Sequence, residues 1–495
     1  MRVTELIKTL NINPKNLTDF EVKGVSCDSK EVSDNFIFVA IKGNRQDGNK
    51  FIEEAIKNGA RAVIVQSRVD SPRLRRGYGG QAQTIEKVPS IKVKDTRQAL
   101  AKLAAEFYGN PSKKIKVVGV TGTNGKTTIT YLIEALLKEA HFSPAVIGTI
   151  NYRFANKSIP SKNTTPGPVQ LQSMLSEMLK EGVDYSLAEV SSHALDQNRT
   201  EGIDFHSAIF TNLTQDHLDY HKTLENYFKS KAKLFKNINH NAFVVLNNDD
   251  KYSRKLKNLT KAGIITYGIE NKADVNARKI KFDVSHTRFC LVYPGGKINF
   301  KTHLIGRHNV YNVLAAVSWA LKEGLGLPII KSAIEKFYLV PGRLERVNSA
   351  GDFCIFVDYA HTDDALINVI TTLRPLARRK IIVVFGCGGE RDRTKRPKMG
   401  RVVCELSDYA IITNDNPRSE DPLEIIKDIK RGIRKNNYCV VPERTEAIRK
   451  SLLLARSGDI VLVAGKGHEN YQILKDKTVH FDDREEIKAC LKSMN

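Results

Sequence analysis

The sequence predicts an α/β protein of three domains: a small N-terminal α/β domain over residues 1–95, a central domain with a mostly parallel sheet over 96–340, and a C-terminal Rossmann-like domain over 341–495. Three observations carry this. The chain has 495 residues, too many for one core, because single hydrophobic cores stop growing at roughly 250–300 residues. Apolar strand-like runs alternate with helical patterns along most of its length, the pattern of parallel strands joined by crossover helices. Near residue 120 an apolar strand runs through a glycine-rich turn into an amphipathic helix.

Composition narrows the class. Hydrophobic residues make up 41% and charged residues 27%, so the chain can bury real cores and is globular. Met1 to Thr9 lacks an apolar segment followed by a small-residue cleavage site, and no stretch reaches the ~20 apolar residues that span a bilayer. A cytoplasmic protein with no membrane partner is expected. Seven cysteines are scattered, with no metal-ligand spacing or disulfide framework, and read as reduced, mostly buried thiols. The formal charge of +23 suits a polyanionic partner. The lysines are spread along the whole chain, however, so a general lysine bias explains the charge as well, and nucleic acid is not expected as a partner.

In the first domain Phe36 to Ile41 and Ala62 to Val65 read as short strands. Ser71 to Gln83, basic and glycine-rich without apolar periodicity, reads as a surface loop. From Thr96 to Tyr108 the residues Leu100, Leu103, Ala104 and Phe107 recur at helical spacing, and Asn110-Pro111 stops the helix. Strands and helices then alternate to about Val340, where Pro341-Gly342 marks a hinge. Beyond it Cys354 to Val357, Lys380 to Phe385, Tyr409 to Thr413 and Asp459 to Val463 read as buried strands between helices.

Ile115 to Val120 is an apolar strand. It leads into Thr121-Gly122-Thr123-Asn124-Gly125-Lys126-Thr127-Thr128 and then a helix with Tyr131, Leu132, Ala135 and Leu136 on one face. Glycines let backbone N–H groups approach phosphates, Lys126 can reach the β and γ phosphates, and the helix N-terminus favours negative charge. Thr127 is placed to bind Mg²⁺. The pattern is a variant, since the usual template wants glycine where Val120 stands. Nucleotide binding is nonetheless expected from Gly122 through Thr128.

Tyr185 to Val190 is a strand ending in Glu189-Val190-Ser191-Ser192-His193, and open α/β sheets bind ligands beyond the carboxyl ends of their strands. Glu189 is therefore a candidate Mg²⁺ ligand. A second strand, Ala208 to Thr211, leads into a run to His221 that is dense in potential ligands and includes His217. Taken singly, each histidine there is better explained as a loop or capping residue. In the next helix Leu224, Tyr227, Phe228, Leu234 and Phe235 share one face with Lys231, whereas Lys229 and Lys233 each lie about 200° away from Lys231 and are expected on the solvated side. Desolvation would lower the Lys231 pKa, leaving an amine able to form a carbamate with CO₂ and so an oxygen ligand for a hard metal. By spacing alone, a snorkelling lysine is the better explanation.

Taken together, these motifs resemble the Mur ligase family over essentially the whole chain. The resemblance rests on Thr121 to Thr128, Asn163 to Pro166, Glu189 to Arg199, Thr211 to His221, Arg307 to Asn309, Pro341 to Glu345, Asp358 to Thr362, Gly386 to Arg396, Asp415 to Arg418 and Gly465 to Glu469. It implies that Lys126, Lys231, His217 and Glu189 are catalytic, and that Lys231 is carbamylated. Thr127, Glu189, His217 and Lys231 would then serve two Mg²⁺ sites, reversing the reading from spacing alone. It further implies that Asn309, Asn312, Arg343 and Asp358 lie near the adenosine of ATP, that Ser29 contacts uridine, and that Thr164, Thr165, Ser191, Gln197 and Arg199 hold a muramoyl-dipeptide. Arg391, Asp415, Asn416, Arg418, Gly465 and Glu469 would receive the amino acid. Arg418 is the informative residue. meso-Diaminopimelate differs from lysine by a carboxylate, which a guanidinium fork binds through two parallel hydrogen bonds. Two positions depart from the family pattern: Asp363 stands in place of proline and Glu390 in place of aspartate.

The implied activity is ATP-dependent addition of meso-diaminopimelate to UDP-N-acetylmuramoyl-L-alanyl-D-glutamate through an acyl phosphate, in peptidoglycan precursor synthesis, by a monomer whose domains close on their substrates. A folylpolyglutamate-type ligase is the nearest rival, with less reason to carry a uridine-binding domain or Asp415 to Arg418. A nucleic-acid-stimulated ATPase is motivated only by the charge.

Overall fold

The computed structural model describes residues 1–12, 17–43, 46–67, 88–347 and 352–494. The basic stretch Ser71 to Gln83 lies outside the described residues. The chain divides into two compact units. One holds Met1–Gly119, Phe142–Ala208 and Lys233–Ala242, and the other holds Val120–His141, Ile209–Ala232 and Phe243–Asn495.

In the first unit Gly24–Ser26, Phe36–Val39, Ala60–Gln66 and Ser90–Val93 form a four-stranded parallel sheet in that order. Both its faces are covered, as a parallel sheet requires. Ile37, Val39, Ala62 and Ile64 pack with Leu100 and Leu103 of the helix Thr96–Phe107, and Phe38, Val63 and Val65 pack with Ala55 on the other face. The alternation is the period of two of a strand. Asp95 starts the helix, accepting hydrogen bonds from the Arg97 and Gln98 N–H groups. The same unit carries Tyr185–Glu189 beside Pro144–Ile147 in parallel, followed by the antiparallel strands Asn151–Phe154 and Lys157–Pro160.

In the second unit the helix Lys126–Glu139 buries Ile129, Leu132, Ile133, Leu136 and Leu137, each contributing about 1.5–3 kcal/mol. Phe243–Asn247, Gly263–Gly268 and Val275–Phe282 pair in parallel, and Thr287–Tyr293 and Gly296–Thr302 continue as an antiparallel meander. The sequence reading missed this meander, although Pro294-Gly295-Gly296 is a turn signal and Thr287, Phe289 and Leu291 alternate inward.

The C-terminal sheet runs Glu345–Val347, Cys354–Asp358, Ile460–Ala464, Ile381–Phe385, Tyr409–Ile412, Tyr438–Val440. All its pairs are parallel except the first. Ile355, Val357, Val461 and Val463 face one helical layer, and Phe356, Leu462 and Ala464 the other. This is the Rossmann-like arrangement expected, and α/β is the fold class observed.

Three sequence expectations need correction. Leu224 is 36% exposed, because it opens its helix before the apolar face is covered. Lys233 is half-buried rather than solvated, its Nζ donating to the carbonyls of Leu195 and Asp196 at 3.2 and 3.4 Å. All seven cysteines are free, as expected, but only Cys387, Cys404 and Cys490 are buried. Among the described residues no helix is long and apolar enough to cross a membrane.

Candidate functional site

The glycine-rich turn joins the end of the strand Lys116–Thr121 to the helix Lys126–Glu139. Gly122 and Gly125 have φ of +150° and +90°, where a side chain would be strained, and a Cβ on Gly122 would run into the Thr211 hydroxyl. Thr211 and Asn212 set the turn. The Thr123 N–H donates to the Asn212 carbonyl at 2.8 Å, the Asn124 N–H to Asn212 Oδ1 at 3.1 Å, and the Thr211 hydroxyl to the Asn124 carbonyl at 2.6 Å. No side chain caps the helix, which suits its N-terminus to an anion. Thr127 and Thr128 follow in its first turn and are buried.

Two lysines converge on this turn. Lys126 Nζ donates to the carbonyls of Gly122 and Thr123 at 3.0 and 2.8 Å. Lys231 Nζ, on the helix Leu224–Asn237, donates to the same Gly122 carbonyl at 2.7 Å and lies 4.7 Å from the centre of the Tyr227 ring. Lys231 is 1% exposed. Burial, reinforced by the nearby Lys126 charge, holds its amine well below the usual lysine range. The lysine singled out by periodicity therefore does not snorkel. Tyr227 completes the wall, its hydroxyl 3.3 Å from the Thr123 hydroxyl.

His217 sits just beyond, with φ of +53° and Nε2 at 3.3 Å from Asp216 Oδ2. Burial alone would raise the Asp216 carboxyl, but His217 and His361 together hold it below the ordinary range. Asp364, adjoining the departure at Asp363, accepts hydrogen bonds from Asn124 Nδ2 and the Thr214 hydroxyl, each at 3.0 Å. It thereby ties the turn to the start of the helix Asp363–Leu373. Asn212, Asp216 and Asp364 were not singled out by sequence reasoning. The first two lie inside a motif run quoted above, and Asp364 gives no local signal.

The residues expected near adenosine fall into two groups. Asn312 Nδ2 donates to Asn309 Oδ1 at 2.9 Å, and Asn312 is the side chain a Cβ on Gly125 would meet, so this pair abuts the turn. Arg343 lies over the Tyr359 ring at 4.7 Å, with its Nε lacking a protein partner. Asp358 accepts from the Leu344 and Ala360 N–H groups at 2.6 and 2.8 Å. Burial raises its carboxyl, and Arg343 and those two bonds oppose this.

In the first unit Glu189 is 1% exposed. Its two oxygens accept from the Thr149 N–H and hydroxyl, each at 2.9 Å. The Thr149 hydroxyl is 3.1 Å from that of Thr164. Thr165 donates to the Glu189 carbonyl at 2.7 Å and accepts from the Ser191 N–H at 3.0 Å. Arg199 reaches the Thr165 carbonyl at 2.8 Å and forks onto Gln197 Oε1 at 3.1 and 2.8 Å. Thr164, Thr165, Ser191, Gln197 and Arg199 thus form one polar cluster around the end of the strand that carries Glu189. Ser29 stands apart from it in the N-terminal sheet region, buried and donating to Glu54 Oε2 at 2.7 Å.

The C-terminal group is also assembled. Gly465, at φ +118°, lies so close to Asp415 that a Cβ would be 2.7 Å from its Oδ2. Asn416 Nδ2 donates to Glu469 Oε2 at 2.8 Å. Arg418 adopts φ +54° and donates to the Gly389 carbonyl at 2.8 Å. The Arg391 stem lies against the same glycine segment, near Gly388. Glu390 accepts from the Ser419 hydroxyl. Arg444, not foreseen from sequence, is fully buried and paired with Asp483 through two bonds of 2.7 Å. It also donates to the carbonyls of Asn414 and Ala464, immediately before Asp415 and Gly465. Among the described residues no group of three or more His, Cys, Asp or Glu side chains is arranged to hold a metal. The expected Mg²⁺ set contains only two such residues, Glu189 and His217; its other members are the Thr127 hydroxyl and Lys231, which would serve only as a carbamate.

The chain matches the Mur ligase family, catalytic domain, at residues 21–108, the Mur ligase middle domain at 120–320, and the Mur ligase, glutamate ligase domain, at 342–467. It is 42% identical over 497 residues to the UDP-N-acetylmuramoyl-L-alanyl-D-glutamate–2,6-diaminopimelate ligase of Clostridium tetani, covering 100% of both chains. It is 43% identical over 496 residues to the protein of that name in Clostridium botulinum, again covering 100% of both. A solved structure of a ligase of that name superposes with a TM-score of 0.68 at 32% identity, covering 100% of this chain and 99% of the other. A MurF ligase from Thermotoga maritima in complex with ADP superposes at 0.62 with 20% identity, covering 96% of this chain and 99% of the other, and shares the fold. With the turn, the buried lysine and the C-terminal cluster all present in a chain matched from end to end, the protein belongs to the Mur ligase family.

Proposed function

We propose that the protein is an ATP-dependent amide ligase that adds meso-diaminopimelate to UDP-N-acetylmuramoyl-L-alanyl-D-glutamate in peptidoglycan precursor synthesis. The observation that carries the reading is the buried Lys231 amine on the Gly122 carbonyl, beside Lys126 in a glycine turn. Full-length likeness to relatives that bear this activity in their names supports the choice of substrates.

A carboxylate is a poor acyl donor, so the γ-phosphoryl group of ATP first passes to the D-glutamyl side-chain carboxylate, and the amine of diaminopimelate then displaces phosphate. Gly122 to Thr128 cradle the phosphates, with Lys126 turning from the loop carbonyls to the transferring group, where it offsets developing charge. Asn309, Asn312, Arg343 and Asp358 hold the adenosine. Lys231, its amine held well below the usual lysine range by burial, attacks CO₂ through Nζ and loses a proton, leaving a carbamate. Hard oxygen donors suit Mg²⁺, and Thr127, Glu189, His217 and carbamylated Lys231 are the residues that would hold two such ions. Bound there, the ions would neutralise phosphate charge. Ser29 contacts uridine, and Thr164, Thr165, Ser191, Gln197 and Arg199 orient the dipeptide. Arg418 and Arg391 pair with the acceptor's carboxylate, and Asp415, Asn416, Gly465 and Glu469 take its distal ammonium end. A cytoplasmic monomer fits these soluble substrates.

The test is phosphate release from ATP with the UDP-muramoyl-dipeptide, comparing meso-diaminopimelate with L-lysine. Release with the former only, or far faster, is expected. Equal rates withdraw the acceptor assignment.

A further inference from the structure

Lys466 stands between Gly465 and Glu469, on the loop after the strand Ile460–Ala464. Its side chain is 0% exposed. Lysine is almost never buried this completely without a partner, and here the partners are specific. Nζ donates to Asn416 Oδ1 at 3.1 Å and to Glu469 Oε2 at 3.3 Å, with the Tyr471 ring 5.6 Å away.

We propose that Lys466 is a positioning residue for the acceptor amino acid, a resident cation that fixes the Asn416 amide and holds Glu469 aimed at the acceptor's ammonium. The inference rests on the reading above that residues 415–418 and 465–469 receive that amino acid.

The amide argument is one of donors and acceptors. Asn416 Oδ1 also accepts the Ile473 N–H at 3.0 Å. An ammonium and an N–H can face only an amide oxygen, so the Asn416 NH₂ is forced toward Glu469, to which it donates at 2.8 Å. Both protein bonds to Glu469 fall on Oε2, which makes Oε1 the oxygen to receive an incoming ammonium.

The charge argument concerns two carboxylates in one buried place. Burial and the neighbouring Asp415 raise the Glu469 carboxyl, and Lys466 opposes both. For Asp415, burial would raise the carboxyl, but Lys466 and Arg444 hold it low. Arg444 is committed to Asp483. Without Lys466, Glu469 would lose the cation paired with it while Asp415 stayed beside it, and only the Asn416 amide would hold Oε2.

The test uses the full chain and measures the KM of each substrate separately. Lys466→Met, which keeps the stem volume, is expected to raise KM for meso-diaminopimelate about tenfold or more, with KM for ATP and for the UDP-muramoyl-dipeptide within about twofold. Lys466→Arg, which keeps the charge, is expected to recover much of the acceptor affinity. An unchanged acceptor KM in Lys466→Met overturns the proposal. So does an equal rise in all three KM values in either variant, since that is what a packing role gives. Should Lys466→Met not fold, Lys466→Arg decides by the same split: acceptor KM near wild type supports the proposal, and a uniform loss overturns it. A wild-type enzyme that does not use meso-diaminopimelate defeats the underlying reading before any variant is compared, whereas an active wild type with an indifferent Lys466→Met defeats this inference alone.

Discussion

Lys231 shows how surroundings change the chemistry of one residue. The side chain is an ordinary lysine. Buried beside the Tyr227 ring and set on the Gly122 carbonyl, it becomes an amine held well below its usual pKa. Lys231→Ala should lower turnover by roughly 1000-fold or more if the carbamate stabilises the transferring charge, and added short-chain carboxylates such as acetate should restore part of it. Normal activity in Lys231→Ala would remove the carbamate from the mechanism. Periodicity could place this lysine on the apolar face, because side-chain direction follows from 3.6 residues per turn. It could not say whether the ammonium reached solvent, since that depends on what covers the helix. Lys233 makes the reverse point: two positions on, it was assigned to solvent and is instead engaged with the end of the helix Ser192–Asp196.

At the scale of elements, the candidate site groups sit where strands and helices end. The glycine turn, the Thr211–Asn212 brace and the strand end at Glu189 are each carboxyl-end features of an α/β sheet. The helix Arg307–Glu323 begins beside the turn and carries His308 in its first turn. Burial and the nearby Arg343 push this ring down to about 4 from the ordinary 6.5. The unfolded chain therefore binds the proton first, so the ring's contribution to stability is present above pH 6.5 and is lost as pH falls from 6.5 towards about 4. Thermal unfolding across this window should show a shallower loss in His308→Gln than in wild type, and identical slopes would contradict the burial argument. These elements were legible in the sequence because strand, turn and helix signals are local. The antiparallel meander from Val275 to Thr302 was not, since its strands are half-polar and their pairing depends on which face is covered.

For the whole molecule, the formal charge of +23 bears on association and not on the fold. Phosphate release should require the UDP-muramoyl-dipeptide and the amino acid, and adding duplex DNA at moderate salt should leave it unchanged. Stimulation by DNA that fades steeply with salt would favour a nucleic-acid ATPase instead. By itself the sequence determined the α/β class, the family, and the positions of the glycine-rich turn, Lys231 and the Asp415 to Arg418 segment, because each is written as a short run of residue types with local consequences. Only the tertiary structure decided that Asp364 ties down Asn124, that Arg444 and Asp483 hold the carbonyls before Asp415 and Gly465, and that Lys466 is wholly buried against Glu469. These residues are far apart along the chain or carry no distinguishing neighbours. Their roles arise from burial and pairing, which chain folding creates and no local pattern encodes.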